Sequence, residues 1–557
     1  MDLLRFIRKI PAAPDDSQDY GPAAYITWLA LAGALTVMIL HAVIGFAGLR
    51  NACTLEYAHL AGRIAGGHGF TTTVLRPAEL SRHDDLAAVP ETRRAPLYPA
   101  MLAGMMRITR TENLTASAGE RRFRPETHAV VPFSLICLIA ALALIALTDR
   151  INNQREEACL AILITALLPS FREAICISGP MVLATATVTA LIPLSLLASR
   201  NPGKPLWAAL LGLTAAAALL TSAATLPAVI AAGILTVWNR PDEQHRKHMF
   251  TALTVFILPL VLWGWRNHLA AGSLFGTAPY NWADGSIYYP AGLLDRSLED
   301  IWRAHRALHG MMQKGIVGMT EYFTATSDSI PWLILLCIGA ACARLSSEQL
   351  RTTLCLAGGY LLSAFWMAAS AGEETHYSLV IWMPLLVLGG INSLRKLTEY
   401  PAAMPADIKQ FLTAGLLGTT IIFTIFQWRF SRPQGGYPPY HPALQATAAG
   451  LIPANGIICT DIPWAVAWYT GRTTILAPRS PQDLTEIEQH IPVAGVYLTQ
   501  ETARRFLSGT SAFRWHSTWL PVWNGTAPEG WAWHHGIHLP PGTQDQVVLL
   551  KGPEEDT

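Results

Sequence analysis

The chain has 557 residues, 51% of them hydrophobic and 14% charged, with a formal net charge of +1 and a mean hydropathy of +0.30. Soluble domains carry roughly 25% charged residues, so much of this surface does not face water, and the balanced charge gives no field for a nucleic-acid partner. The eight cysteines show no metal-ligand spacing: Cys137, Cys159, Cys176, Cys337, Cys342 and Cys355 lie in apolar runs, and Cys53 and Cys459, outside them, could pair if both are exported.

A membrane-spanning helix needs about 20 apolar residues to cross a hydrocarbon layer about 30 Å thick. The first apolar run begins near residue 23 and is about 25 residues long. That is too long for a signal-peptide core, so it reads as an anchor. In chain order the candidate spans are 23–49, 128–148, 157–171, 176–198, 206–220, 224–238, 248–265, 329–344, 352–370, 377–394 and 409–427, about eleven in all. Thr221, Ser222, Thr225 and Pro227 interrupt the 206–238 run and predict a hairpin of two helices rather than one long one.

Lysine and arginine set the orientation. Arg5, Arg8 and Lys9 precede the first span, and alternate short loops carry Arg150 and Arg155, Arg200 and Lys204, Arg240 and Arg246, Arg344 and Arg351, and Arg395 and Lys396. These loops and the N-terminus are therefore expected in the cytoplasm. Segments 50–127, 266–328 and 428–557 fall on the opposite side. The expected division is a membrane domain over 1–430 and a soluble domain over 441–557. The spans hold few ionisable residues, which argues against an ion path or coupled carrier.

In the first outer segment, Glu56, Tyr57, Leu60 and Ile64 recur at helical spacing, and Gly66, Gly67 and Gly69 end that helix. The prolines of Arg93–Pro99 then fix a bend before the apolar stretch 100–108, too short to span and suited to the interface. The pattern E-Y-x3-A-x5-G-H-G-F followed by R-x-P-x-Y-P resembles the first outer loop of the GT-C glycosyltransferases, in particular the protein mannosyltransferases and the lipid A aminoarabinose transferases. Trp263–Asn267 (WGWRN), Glu373–Tyr377 (EETHY) and Asp461–Arg472 in the tail extend the resemblance over most of the chain. It implies an α-helical polytopic membrane protein with a small C-terminal α/β domain. It also implies transfer of a sugar from a polyprenyl-phosphate-linked donor at the outer leaflet. Two positions depart from the family: Cys53 stands where an aspartate is usual, and Ser178–Met181 lacks the acid common at the outer start of the fourth span, where Arg172 and Glu173 could compensate.

Inverting sugar transfer needs a base for the acceptor proton and cations for the leaving phosphate. Glu56, one helical turn from Cys53, is the candidate base, or else a plain surface acid. Arg94 could clamp phosphate with its planar fork or hold lipid headgroups; Tyr57 and Tyr98 flank it in the pattern. Arg266 and Asn267 close a span, as substrate ligands or as an interfacial anchor. His376 and Tyr377 occupy the family's Arg-Tyr position. Glu374, with Glu373, could hold a divalent metal or cap a helix, and no metal site follows from spacing. Residues 293–312 read as an amphipathic helix on the membrane, with Arg296, Glu299, Asp300 and Arg303 on its polar face.

In the tail, strands are expected at Gly456–Thr460, Thr473–Leu476, Ala494–Thr499 and Val547–Leu550. Helices are expected at Pro463–Tyr469, Pro481–His490 and Glu501–Leu507, giving a small α/β layer with parallel strands. The reading is a bacterial inner-membrane transferase with lipid partners and a lipid, glycan or protein acceptor. Its rivals are a non-catalytic relative that binds lipid-linked sugar, kept open by Cys53, and a transporter or flippase.

Overall fold

The structure, a computed structural model, describes residues 21–398 apart from 83–85, 87, 112–122, 153–154, 178, 202–203, 240–242, 290–291, 293, 299–303, 343–344 and 371–375. It also describes 415, 418, 422, 440–454, 456–502, 519–523, 526, 528, 531–534 and 546–551. Helix dominates. The helices are α1 (Gly21–Gly45), α2 (Ala52–Ala65), α3 (Leu97–Ile108), α4 (Val131–Asn152), α5 (Arg155–Leu167), α6 (Pro169–Ile177), α7 (Pro180–Arg200), α8 (Pro205–Thr221), α9 (Leu226–Asn239), α10 (Glu243–Ala271), α11 (Ala304–Ala325), α12 (Ile330–Cys342), α13 (Ser347–Ser370) and α14 (Met383–Thr398).

Six of the described helices are long and apolar enough to cross a membrane, or eight spans if each bent pair, α5 with α6 (57°) and α11 with α12 (78°), counts as one. The first break falls just before Pro169, where a proline disfavours helix in the preceding residue. The shorter α8 and α9 are the two arms of the expected hairpin. At Ser222 the backbone is extended (φ −162°, ψ 135°) and Oγ accepts from Ala224 N. The expected segment 409–427 lies almost wholly outside the described residues. Large apolar side chains stand exposed along α1 and α10, including Leu29, Val43, Phe250, Leu258 and Leu262, an arrangement stable only against lipid.

Ion pairs gather the arginine-rich helix ends at one end of the bundle. Arg200 donates to Ile151 O and to Glu348, Arg351 to Trp238 O, and Arg395 to Glu157. These contacts bring the last turns of α4, α7, α9 and α14 beside the first turns of α5 and α13, as the alternation of basic loops predicts.

The opposite end carries the irregular and β structure. Strands β1 (Thr71–Thr72) and β3 (Val89–Pro90) pair antiparallel. Strand β2 (Val74–Leu75) joins the tail strands β4 (Ile457–Thr460), β5 (Thr474–Leu476), β6 (Val493–Leu498), β7 (Trp531–His534) and β8 (Val547–Lys551) in one sheet of order β2-β5-β4-β6-β8-β7. The members β2, β5, β4 and β6 are parallel, and β8 and β7 run antiparallel to them. Strand β7 contains Trp531 and Trp533, and at four residues it is too short for its alternation to signal a strand in the sequence. Of the helix expected over 293–312, Leu294–Arg296 is a single tight turn, 297–298 are not helical, and helix is described from Ala304 to Ala325; 293 and 299–303 lie outside the described residues. Arg296, expected on a solvated face, is buried. The reason is tertiary packing: Arg296 O accepts from Arg479 N (3.0 Å), Asp295 is held by Arg93, and Leu298 packs against the core of the tail. Cys53 and Cys459 are both buried and no disulfide joins them.

Candidate active site

Helix α2 starts where the Asn51 side chain accepts from Cys53 N (2.7 Å) and Thr54 N (3.4 Å). Its first ten residues are buried, which aims Cys53, Glu56 and Tyr57 into one cavity of about 840 Å³, a size typical of ligand sites. Glu56 is 1% exposed. Its Oε1 accepts from Arg76 Nη2 (2.6 Å), and its Oε2 accepts from Arg94 Nε (2.9 Å) and Nη2. Burial alone would raise the Glu56 pKa, but Arg76 and Arg94 outweigh it and hold the carboxyl far below the usual range.

Arg76 follows directly on β2, and β2 is set beside α2 by His59, whose Nε2 faces Thr73 N (3.4 Å) and Thr73 Oγ1 (3.1 Å). Burial pushes His59 down to about 4, so the ring is neutral. Arg93 and Arg94 diverge from a tight bend in which Glu91 Oε1 accepts from both of their backbone N–H groups, at 2.6 and 3.0 Å. Arg94 turns to Glu56, with its guanidinium 5.6 Å above the Tyr57 ring. Arg93 turns to Asp295, donating from Nη2 (3.2 Å) and Nη1. Burial would raise Asp295 as well, yet Arg93 and Arg76 bring it down to about 2. The result is an interleaved cluster of three guanidinium groups and two carboxylates. Asp295, Arg76 and Arg93 were not singled out from sequence. Arg93 stood inside a quoted motif, whereas Arg76 and Asp295 carry no local signal and meet the site only through tertiary packing.

The wall away from this cluster is apolar, with Met181, Leu219, Leu220, Leu260 and Val261 supplied by α7, α8 and α10. Val261 and Trp265 belong to this lining and are also 58% and 60% exposed on α10, so the chamber reaches the lipid-suited flank of that helix. Pro463, Trp464 and Leu476 close another side. They sit just past β4 and at the end of β5, as Arg76 sits just past β2. The carboxyl ends of parallel strands thus converge on the cavity, the usual place for ligands in such sheets.

The remaining expected residues are placed as follows. Tyr57 and Asn267 line the cavity. Tyr98 is fully buried beneath it, stacked edge-on with Tyr57 (centroids 5.6 Å apart), and its hydroxyl accepts from Gly179 N at 3.1 Å. Arg266 is stacked over Trp263 (4.9 Å) and donates to Phe70 O (3.1 Å), Glu91 O and Asn267 Oδ1, fastening the first outer segment to the end of α10. Arg172 and Glu173 lie in a separate cluster with His41 and Arg50. His376 and Tyr377 start a tight turn; their side chains, and Glu374, lie outside the described residues.

Asp461 of the tail motif is spent on structure, with Oδ2 accepting from the backbone and hydroxyl groups of Thr499 and Thr502 at 2.7–2.9 Å. Arg472 likewise donates to the carbonyls of Ala449, Ile452 and Gly456. Among the described residues no group of three or more His, Cys, Asp or Glu side chains is placed to hold a metal ion. Two acids already paired with three guanidinium groups also make a poor donor set for a divalent cation.

No family model matches the chain, and no curated protein sequence matches it. Solved structures do. ArnT from Cupriavidus metallidurans bound to undecaprenyl phosphate superposes with a TM-score of 0.58 at 10% identity, over 96% of this chain and 100% of that one. The oligosaccharyltransferase of Archaeoglobus fulgidus in the apo form gives 0.57 at 11% identity, over 87% of this chain and 70% of that one. The same archaeon's AglB in complex with an inhibitory peptide and a dolichol-phosphate gives 0.53 at 10% identity, with the same coverage. At such identities the likeness speaks for fold: the chain has the fold of the GT-C membrane glycosyltransferases.

Proposed function

We infer that this chain is a membrane glycosyltransferase that takes a sugar from a polyprenyl-phosphate-linked donor and passes it to a lipid, glycan or protein acceptor at the outer face of the membrane. The observation that carries the reading is the two-faced cavity, in which Arg76, Arg93 and Arg94 stand at one end and Leu219, Leu220 and Leu260 at the other. A lipid with a phosphate head needs that pairing of cationic and apolar walls. The acceptor X–H attacks the anomeric carbon, the bond from that carbon to the carrier phosphate oxygen breaks, and the arginines hold the departing polyprenyl phosphate. The acceptor proton passes to Glu56, once its guanidinium partners have turned to the phosphate. Of the neighbours named above, ArnT is bound to undecaprenyl phosphate and AglB is in complex with a dolichol-phosphate, which supports a carrier of this class. The arginine-rich end of the bundle belongs in the cytoplasm on this reading, and the cavity end outside. A second reading, a non-catalytic protein that binds lipid-linked sugar, draws on Cys53 and on the double arginine lock on Glu56.

The purified chain, given a panel of polyprenyl-linked sugars and an acceptor mixture, is expected to release polyprenyl phosphate. Binding without release favours the second reading. Arg76→Gln is expected to weaken carrier binding by about tenfold or more. Arg266→Ala is expected instead to lower the melting temperature while leaving carrier affinity within a few-fold of the native value, because Arg266 serves backbone carbonyls. The reverse pattern would transfer the phosphate role to Arg266.

A further inference from the structure

The guanidinium groups at the polar end of the cavity are already committed. Both oxygens of Glu56 are engaged, by Arg76 Nη2 on one side and by Arg94 Nε and Nη2 on the other. Arg76, Arg93 and Arg94 face the carboxylates of Glu56 and Asp295 directly, and Glu79 and Glu91 stand close enough to Arg76 to offset its charge further. An N–H bonded to a carboxylate cannot serve a phosphate oxygen at full strength, and the buried carboxylate repels the incoming anion across a low-dielectric gap.

We propose that Glu56 is a resident competitor for this anion site: a phosphate-bearing lipid takes Arg76 and Arg94 away from the Glu56 carboxylate as it binds. The proposal rests on the reading of the cavity as the seat of a lipid-linked phosphosugar. Two further observations support it. Arg76 Nη1 and Arg93 Nε are buried and have no hydrogen-bond partner among the described residues, on side chains only 7% exposed. The cluster therefore holds cationic donors beyond those its own acids use, and buried donors of that kind are normally satisfied. In addition, a carboxylate gripped by two guanidinium groups cannot take a proton near neutral pH. Arrival of the phosphate is then also what converts Glu56 from counter-ion to base, so the acceptor is deprotonated only when a donor is in place.

The test is the affinity of the full-length purified protein for undecaprenyl phosphate, with inorganic phosphate as a second probe. Glu56→Gln is expected to bind both probes roughly tenfold more tightly than the native chain, because the competing charge is gone. Equal or weaker binding overturns the proposal, since Glu56 would then be orienting the arginines for the phosphate or ignoring it. Tighter binding of the lipid alone also overturns it, because the competition would not be for the phosphate. Where Glu56→Gln loses the native melting transition, Glu56→Asp decides by the same rule. It keeps the charge but is one methylene short of spanning both arginines, and several-fold tighter binding is expected. Sugar transfer is assayed separately on the native chain: its absence would sink the transferase reading and leave the competition standing.

Discussion

Glu91 and Asp295 set the direction in which the cluster responds to acid. Glu56 and Asp295 are held below their ordinary range, Asp295 at about 2. A carboxyl depressed by folding adds stability that is present above its unfolded value and is lost as pH falls through its folded value. Glu91 works in the opposite sense: burial, then the neighbouring Glu56 charge, pushes it up, so it favours the folded state at low pH and its ionisation opposes folding as pH rises. Two acids against one predict that the melting temperature in detergent falls as the pH is lowered from about 4 towards 2, the window that Asp295 defines. Asp295→Asn should flatten that slope while lowering stability at pH 7. An unchanged slope in the variant would show that the acid sensitivity arises elsewhere. The sequence offered Glu56 as a base and Arg94 as a clamp converging on one outer site, without indicating that the carboxylate and the guanidinium would bond each other directly. Helical spacing places Glu56 on the Cys53 face, but only tertiary packing can say that Arg76, 20 residues further on, arrives at the same carboxylate.

Among the elements, the membrane helices were the most legible, because twenty apolar residues in a row have few alternatives. The hairpin of α8 and α9 followed from polar residues and a proline interrupting a run too long for one span. The amphipathic segment before α11 was misplaced because its periodicity continues across a stretch where tertiary contacts, not the helix ladder, fix the backbone. The close approach of α8 to α10 was also hidden in the sequence: a Cβ placed on Gly212 would lie 2.1 Å from Ala252 O. Backbone cannot yield as a side chain does, so the two helices must separate. Gly212→Ala is therefore expected to cost about 1–3 kcal/mol and to loosen the cavity wall formed by Leu219 and Leu220 on the same helix. A drop in melting temperature together with weaker carrier binding would show the coupling. A drop in melting temperature alone would confine the effect to packing.

At the scale of the whole molecule, the sheet joins parts of the chain that its sequence order separates. Strand β2 belongs to the first outer segment, yet Val74 and Leu75 pair in parallel with Thr474 and Ile475, and Thr474 N donates to Thr73 O at 2.9 Å. Arg76 is the next residue along, so the position of a cavity arginine depends on a strand nearly 400 residues later. Trp464 of the same tail also lines the cavity, and Trp468 donates to Glu126 at the foot of α4 (3.0 Å). The expected division at residues 430–441 is thus crossed by backbone hydrogen bonds, and α2 and the tail helix Pro463–Thr470 share one apolar core. Removing the chain after residue 430 should leave Leu75 and Leu60 without their cover and the edge of β2 unpaired. The truncated protein is expected to insert into the membrane, since its spans are intact, but to lose carrier binding and to become protease-sensitive within residues 70–95. Adding the tail back as a separate chain should restore protection if the shared sheet is what orders the segment. A truncated protein that keeps a protected first outer segment and native carrier affinity would show that β2 and Arg76 are positioned by the bundle alone.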